Sequence, residues 1–220
     1  MLMNHRLLFP VLVVLVVFGL GLGLGLGLGP GLTTRAHNES GDEVSTANPK
    51  VADGLAAWEQ IYSVMISPRC INCHTATNYP QQGDDRHRHF ANVIRGRDGR
   101  GVPALNCIGC HQEVNADSTG VPGGPDWHLA PLSMRWQDLN DRPLPSAAVC
   151  RSVTDRSKNE NMDGPALLTH HREAALVLWA WQPGRRPDGS VRTSPPLSHE
   201  AFVAATRTWV EAGTPCPRGK

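Results

Sequence analysis

Apolar side chains recur every three or four positions between residues 51 and 65. The positions are Val51, Leu55, Trp58, Ile61, Tyr62 and Met65. This spacing predicts an amphipathic helix of about four turns. Asn48 is a suitable N-cap in front of Pro49, and we expect Pro68 to end the helix.

The last third of the chain repeats this helical spacing. Ser146 is predicted to cap a helix that runs to Val153, and Pro165 suits the first position of another helix. The apolar segment ALVLWAW, residues 175–181, is predicted to be buried as either helix or strand. A final amphipathic helix that stops at Gly213 is indicated by Phe202, Val203, Thr206, Trp209 and Val210.

Turn-forming residues dominate the middle of the chain. Residues 75–106 and 118–131 contain segments such as GRDGRG and STGVPGGPDW, and the chain has 18 prolines and 22 glycines. Such segments favour loops over long strands. The predicted fold class is therefore mainly α with extensive irregular loops and no substantial sheet.

The N-terminal pattern divides the chain into three parts. A short basic start precedes residues 7–29, which carry no charge and include five consecutive Leu-Gly pairs. This layout predicts a signal peptide or a membrane anchor within residues 1–36, because a helix of that length would cover roughly 35 Å. Residues 37–50 are predicted to form a polar linker. Residues 51–220 are predicted to form one exported domain.

Net charge changes this picture little. The chain carries a formal charge of +1 and has no block of lysines or arginines. We therefore expect no nucleic-acid partner.

Two identical cysteine–histidine motifs carry the chemistry. PRCINCH contains Cys70, Cys73 and His74, and NCIGCH repeats the pattern with Cys107, Cys110 and His111. Cys-x-x-Cys-His is the attachment signature of c-type haem, in which two thiols bond the haem vinyl groups and the histidine binds iron. Chance placement gives roughly 0.007 such motifs in a chain of this composition. Two covalently bound haem c groups are therefore predicted, with His74 and His111 as proximal iron ligands.

Other uses of these cysteines are less consistent with the sequence. Zinc could bind four thiolates, but the gap from Cys73 to Cys107 exceeds zinc-ribbon spacing, and zinc does not explain the two histidines. A thioredoxin-like pair lacks a surrounding βαβ pattern. The remaining Cys150 and Cys216 are either a disulfide, which we favour in an exported protein, or two buried free thiols.

The spacing of residues along the sequence does not identify the second axial ligand of either iron. A methionine raises the potential, a second histidine lowers it, and a vacant position permits catalysis. The available side chains are Met65, His87, His89, His128, Met134, Met162, His170, His171 and His199.

The chain resembles an exported bacterial di-haem cytochrome c family, often labelled as the cytochrome subunit of isoquinoline 1-oxidoreductase. The resemblance spans roughly residues 58–217 and rests on PRCINCH, QGDDRHRHFANVIRGRDGRGVPALNCIGCHQ, PDWHLAPLSMRW, LVLWAWQPG and WVEAGTPCP. It implies a multihaem cytochrome c-like fold. It also implies retained positions at His89, His128, Met134, His170, Cys150 and Cys216. One departure is Ala174-Ala175, where the family tends to have Asp-Pro.

With this resemblance, His89 and His128 are the expected distal ligands, with Met134 and His170 as alternates. The expected function is a periplasmic carrier that passes electrons from a partner dehydrogenase, such as a molybdenum-type enzyme, to a respiratory acceptor, without turning over a substrate itself. It would be soluble or tethered to the inner membrane by residues 7–29. The alternatives are a di-haem peroxidase-like enzyme and a haem-based sensor or binding subunit.

Overall fold

The regular structure of the described residues consists of six α-helices, three 3₁₀ turns and two short hairpins. The computed structural model describes residues 48–219. The helices are α1 Pro49–Met65, α2 Pro68–Ile71, α3 Ser146–Thr154, α4 Gly164–Glu173, α5 Ala175–Trp179 and α6 His199–Glu211. The predictions for residues 1–36, and for the linker up to residue 47, lie outside the described residues.

Helix α1 begins as the sequence predicts and ends earlier. The Asn48 side chain accepts a hydrogen bond of 3.1 Å from the Lys50 backbone N–H, and Pro49 occupies the first turn. The helix ends at Met65, so Pro68 does not terminate it. Pro68 instead opens α2, because a proline needs no hydrogen-bond acceptor in a first helical turn.

The hydrophobic core is centred on the contact between α1 and α6. The rings of Trp58 and Trp209 lie 5.0 Å apart, and both side chains are fully buried. Gly54 allows the end of α6 to approach, since a Cβ there would lie 2.4 Å from the Ala212 Cβ. Other buried core residues are Ile61, Val64, Met65, Val149, Val153, Leu167 and Phe202.

Helix α3 attaches the C-terminal segment to this core. Pro145, not Ser146, occupies its N-cap position, and the Ser146 hydroxyl accepts a 2.9 Å bond from Trp58 Nε1. The predicted cap was wrong because tertiary contact with α1 uses the hydroxyl. A disulfide joins Cys150 in α3 to Cys216, with 5.6 Å between the Cα atoms.

Helices α4 and α5 form a wall beside the core. Asp163 caps α4 by accepting a 3.0 Å bond from the Ala166 N–H, and Pro165 lies in the first turn. Residues 175–181 were expected to be buried, but only Ala180 is. They are partly accessible because several of them, including Leu176 and Trp179, face a cavity.

Irregular chain fills residues 72–145. Strands β1 Gln81–Gln82 and β2 His87–Arg88 form one antiparallel hairpin, and β3 Gly101–Val102 and β4 Leu105–Asn106 form another. Gly96 in the GRDGRG segment has a positive φ, and a Cβ there would lie 1.9 Å from the Gly101 carbonyl oxygen. The mainly α class with extensive loops and no substantial sheet is confirmed for the described residues.

Within residues 48–219, no helix combines the length and apolar character needed to cross a membrane.

Candidate functional site

The two motifs have the same local backbone geometry. In the first motif, the N–H groups of Cys73 and His74 both donate to the Cys70 carbonyl, each at 3.1 Å. In the second, the N–H groups of Cys110 and His111 donate to the Cys107 carbonyl at 3.2 and 2.9 Å. A single helical turn therefore brings the two cysteines and the histidine of each motif to one side of the backbone.

Each motif histidine is held in the same way. The Nδ1 of His74 donates to the Met134 carbonyl, and the Nδ1 of His111 donates to the Pro122 carbonyl, both at 2.7 Å. A carbonyl oxygen only accepts, so Nδ1 carries the proton and Nε2 keeps its lone pair. Both imidazoles therefore present the nitrogen and the tautomer that a metal ligand requires.

A tryptophan stacks on each of these imidazoles. The rings of His74 and Trp136 are 3.4 Å apart and 5° from parallel, and those of His111 and Trp127 are 4.6 Å apart and 3° from parallel. Stacking and the Nδ1 hydrogen bond fix both the tilt and the direction of each ring. Both tryptophans lie in the segment PDWHLAPLSMRW, and no local sequence signal pairs either of them with a particular motif histidine.

The first motif opens on a cavity of about 410 Å³. Cys70, Cys73 and His74 line one side of it. The rest of the wall is mostly apolar and aromatic, and includes Met65, Trp127, Met134, Trp136, Leu167, Leu176, Trp179, Trp181 and Phe202. A large apolar cavity with a few convergent polar groups is the usual form of a cofactor site, and these side chains fit a flat tetrapyrrole joined to the two thiols.

Burial keeps the first motif uncharged. It raises the pKa of the Cys70 thiol to about 12 and that of Cys73 to about 11. It also lowers the pKa of His74 to about 3, so the imidazole is neutral at physiological pH.

The arrangement of the four motif cysteines in the described residues gives no support to a zinc site. Within residues 48–219, no group of three or more His, Cys, Asp or Glu side chains is arranged to hold a metal ion. The two motifs are nevertheless near neighbours, since Cys107 contributes, after burial and Arg69, to the pKa of Cys73.

The second motif lies on the loop side of the molecule and is more open. Cys110 is exposed, and Ile108 between the two cysteines is 55 % exposed. Burial still raises the pKa of Cys107 and lowers that of His111. The His89 ring lies 5.9 Å from the His111 ring, centre to centre.

The structure divides the expected distal ligands between the two motifs. His128, Met134 and His170 line the cavity of the first motif, whereas His89 lies beside His111. His170 is accessible by surface area, and it lines the cavity wall. Burial nevertheless lowers the pKa of its imidazole. Met65 and His171 also line the cavity, with Met65 belonging to the core and His171 bonded to Thr206 at 2.9 Å.

Sequence reasoning missed two buried arginines beside the first motif. Arg95 donates to the carbonyls of Thr75, Thr77 and Ala130, and Arg69 pairs with Asp84. Burial lowers the pKa of both guanidinium groups. No sequence signal marks them, because arginine next to turn residues is normally solvated.

Comparison with protein-family models, with curated proteins and with solved structures finds no match for this chain, so its family interpretation rests on the two motifs and the segments around them.

Proposed function

We propose that the chain is a di-haem c-type cytochrome that transfers electrons. The observation that carries the proposal is the repetition of one arrangement at two motifs. In each, one helical turn brings two cysteines and a histidine together, and a carbonyl and a tryptophan fix the imidazole with Nε2 free. Thiol redox chemistry requires no such treatment of the histidines, and a zinc site made of the four thiolates would leave both histidines unused.

The chain's own residues would then attach and orient the cofactors. Cys70 and Cys73 would hold one haem in the cavity, and Cys107 and Cys110 would hold the other at the loop surface. The bound haem supplies one-electron chemistry at its iron. His74 and His111 would bind the iron through Nε2, and their Nδ1 hydrogen bonds raise the basicity of the ring.

For the second motif, His89 is the distal ligand that the geometry favours. A metal held between two imidazole nitrogens at ~2 Å from each places the ring centres roughly 6 Å apart. His89 and His111 lie 5.9 Å apart. The Nδ1 of His89 is bonded to the Phe90 carbonyl at 2.6 Å, which leaves its Nε2 available.

For the first motif, His128 and His170 remain the distal choices. Met134 is a poorer choice for this haem, because its carbonyl bonds His74 Nδ1 and its backbone therefore lies on the side of the ring away from Nε2, the nitrogen that would bind the iron. His128 is anchored by its Nδ1 to the Asp126 carbonyl. His170 extends from α4 across the cavity wall and has no such anchor on either nitrogen within the described residues.

The proposed setting follows from the expected export segment. The domain would work in the periplasm, soluble or held at the inner membrane by residues 7–29. It would receive electrons from a partner dehydrogenase, such as a molybdenum-type enzyme, and pass them to a respiratory acceptor.

Intact mass and visible spectra test the proposal directly. The full chain would be produced in a bacterium with and without the cytochrome c maturation system. We expect a mass increase equal to two haem groups only with the maturation system, and low-spin bands after reduction. A protein that folds without haem and binds zinc would overturn the proposal. Carbon monoxide binding to the reduced protein would instead support the peroxidase-like or sensor alternatives.

Single substitutions then assign the distal ligands. His89→Ala, His128→Ala and His170→Ala are each expected to preserve covalent haem, because none touches a thioether bond. The variants that remove a true ligand convert one haem to the high-spin form. Met134→Leu serves as the control and is expected to keep both haems low-spin.

A further inference from the structure

The indole of Trp127 contacts both sites at once. Its ring stacks on the His111 imidazole of the second motif, with the ring centres 4.6 Å apart and the planes 3° from parallel. The same side chain lines the cavity of about 410 Å³ at the first motif. Trp136 differs, because it stacks on His74 and lines that same cavity, so both of its contacts belong to the first site. Trp127 is therefore part of the wall of one site and part of the support of the other.

A second tryptophan, Trp179 at the end of α5, packs against Trp127. The two rings lie 4.8 Å apart and 86° from parallel, which is the edge-to-face arrangement that aromatic pairs favour. Trp179 is itself fixed, since its Nε1 donates a 3.0 Å hydrogen bond to Oδ1 of Asn115 in the loop region. It also lines the first cavity. Ring contacts therefore run without a break from His111 through Trp127 to Trp179 and the cavity.

Trp127 is held by ring contacts and not by a hydrogen bond. Four other indoles donate their N–H to an acceptor in the protein, namely those of Trp58, Trp179, Trp181 and Trp209. Within residues 48–219, the Nε1 of Trp127 makes no such bond, and the side chain is only half-buried. The orientation of this indole is therefore set by the groups that pack against its ring, which are His111, Trp179 and the occupant of the first cavity.

Filling the first cavity would restrain this indole. A side chain that faces a void lacks partner atoms on that side, and an occupant of the cavity supplies the missing van der Waals contacts. With the indole held in place, the stack fixes the plane of the His111 imidazole. Occupancy of the first site therefore biases the second site. Such a link is a coupling free energy, which acts equally in both directions.

We propose, on the basis of the di-haem function above, that Trp127 is a positioning residue shared by the two haem sites and couples the filling of the first site to the orientation of His111 in the second. The indole also excludes water from the cavity wall and from one face of the His111 ring. Water stabilises the more highly charged oxidised iron, so its exclusion raises a reduction potential. Loss of this one side chain should therefore change both sites.

The test compares variants of the full chain matured with haem. Trp127→Leu is the principal variant, Trp127→Phe is the conservative one, and Trp136→Leu is the matched control, because the contacts of Trp136 belong to the first site alone. Cys107→Ala/Cys110→Ala keeps only the first attachment motif and so identifies the signals of the first haem. Intact mass gives the haem content, electron paramagnetic resonance of the oxidised protein reports ligand orientation at each iron, and redox titration gives the midpoint potentials.

We expect Trp127→Leu to shift the resonance signals of both haems and to lower both midpoint potentials, since water gains access to both sites. Trp127→Phe keeps an aromatic ring and should show the same shifts with a smaller size. Trp136→Leu should change the first haem only. In a Trp127→Leu protein that carries two haems, a change confined to one haem, or no change, would overturn this inference and leave the proposed function intact.

Removal of the first haem tests the coupling itself. In Cys70→Ala/Cys73→Ala, the remaining second haem should show the resonance shift that Trp127→Leu produces there. Adding Trp127→Leu to this protein should then have little further effect, because the restraint on the indole is already lost. Full additivity of the two changes would contradict the coupling. If this protein does not fold, the comparison of Trp127→Phe with Trp136→Leu decides the question. A wild-type protein without covalent haem would overturn both the inference and the proposed function.

Discussion

The two motifs are nearly identical in sequence but lie in very different surroundings. Ile71 and Ile108 occupy the same position, between the first and second cysteine of each motif. Ile71 is 0 % exposed because α2 packs onto the helical core, whereas Ile108 is 55 % exposed on a 3₁₀ turn in the loop region. The motif fixes the local turn and the histidine, and the supporting structure decides how much of the site is buried.

This comparison indicates different roles for the two proposed haems. The first would fill a cavity between α2, α4 and α5 and would be part of the core. The second would lie near the surface, beside the exposed side chains of Phe90, Leu105 and Ile108. A haem near the surface would be well placed to exchange electrons with a redox partner. The enclosed haem would be better shielded from solvent.

The largest expected effect separates the two haems by their contribution to stability. The double variant Cys70→Ala/Cys73→Ala should lose one haem and lower the free energy of unfolding by more than ~3 kcal/mol, because the cavity loses its filling. Cys107→Ala/Cys110→Ala should lose one haem and keep the helical core. Intact mass and thermal unfolding followed by circular dichroism measure both. Equal destabilisation by the two variants would contradict the distinction.

The next prediction compares the contributions of Ile71 and Ile108 to the free energy of unfolding. Ile71→Ala should lower the free energy of unfolding by about 2–4 kcal/mol, since it removes fully buried methylene groups. Ile108→Ala, its matched control, should change it by less than about 0.5 kcal/mol, because that side chain is largely solvated. Denaturant unfolding measures both. A similar loss in the two variants would show that the second site is enclosed in the mature protein.

The disulfide should stabilise only the helical half of the molecule, which contains the core formed by α1, α3 and α6. Cys150 and Cys216 are 66 positions apart, so the double variant Cys150→Ala/Cys216→Ala should cost about 2–4 kcal/mol of unfolding free energy. Both haems should remain attached, as intact mass would show. A loss of the second haem in this variant would reveal coupling between the C-terminal segment and the loop region.

The effect that is smallest per pH unit concerns acid sensitivity in the helical half. Burial lowers the pKa of His171 to about 3, against an ordinary value near 6.5 in the unfolded chain. Its contribution is therefore complete above pH ~6.5 and is lost as pH falls from there toward 3, because the unfolded chain takes up the proton first. His171→Gln should make this decline shallower by up to about 1.4 kcal/mol per pH unit.

Denaturant unfolding at a series of pH values measures this decline. Between pH 7 and 9 the stabilities of the wild type and His171→Gln should change in parallel, which serves as the internal control. Parallel curves below pH 6 as well would contradict the assignment to His171.

Several helices could be predicted because their signals are local. Asn48-Pro49 marks the start of α1, and the apolar spacing of Phe202, Thr206 and Trp209 marks α6. The Ser146 cap and the burial of residues 175–181 could not be predicted. In both cases a distant partner decides: the Trp58 indole takes the hydroxyl, and the cavity replaces the expected core contact.

The sequence by itself determined the donor atoms of the two motifs, since Cys-x-x-Cys-His places two thiols and an imidazole within five residues. Only the tertiary structure decided what surrounds them. The carbonyl that orients His74 comes from 60 residues away, and Arg186 reaches Asp84 across 102 residues. Such contacts depend on which backbone and side-chain groups the packed helices bring together, and no local pattern encodes that.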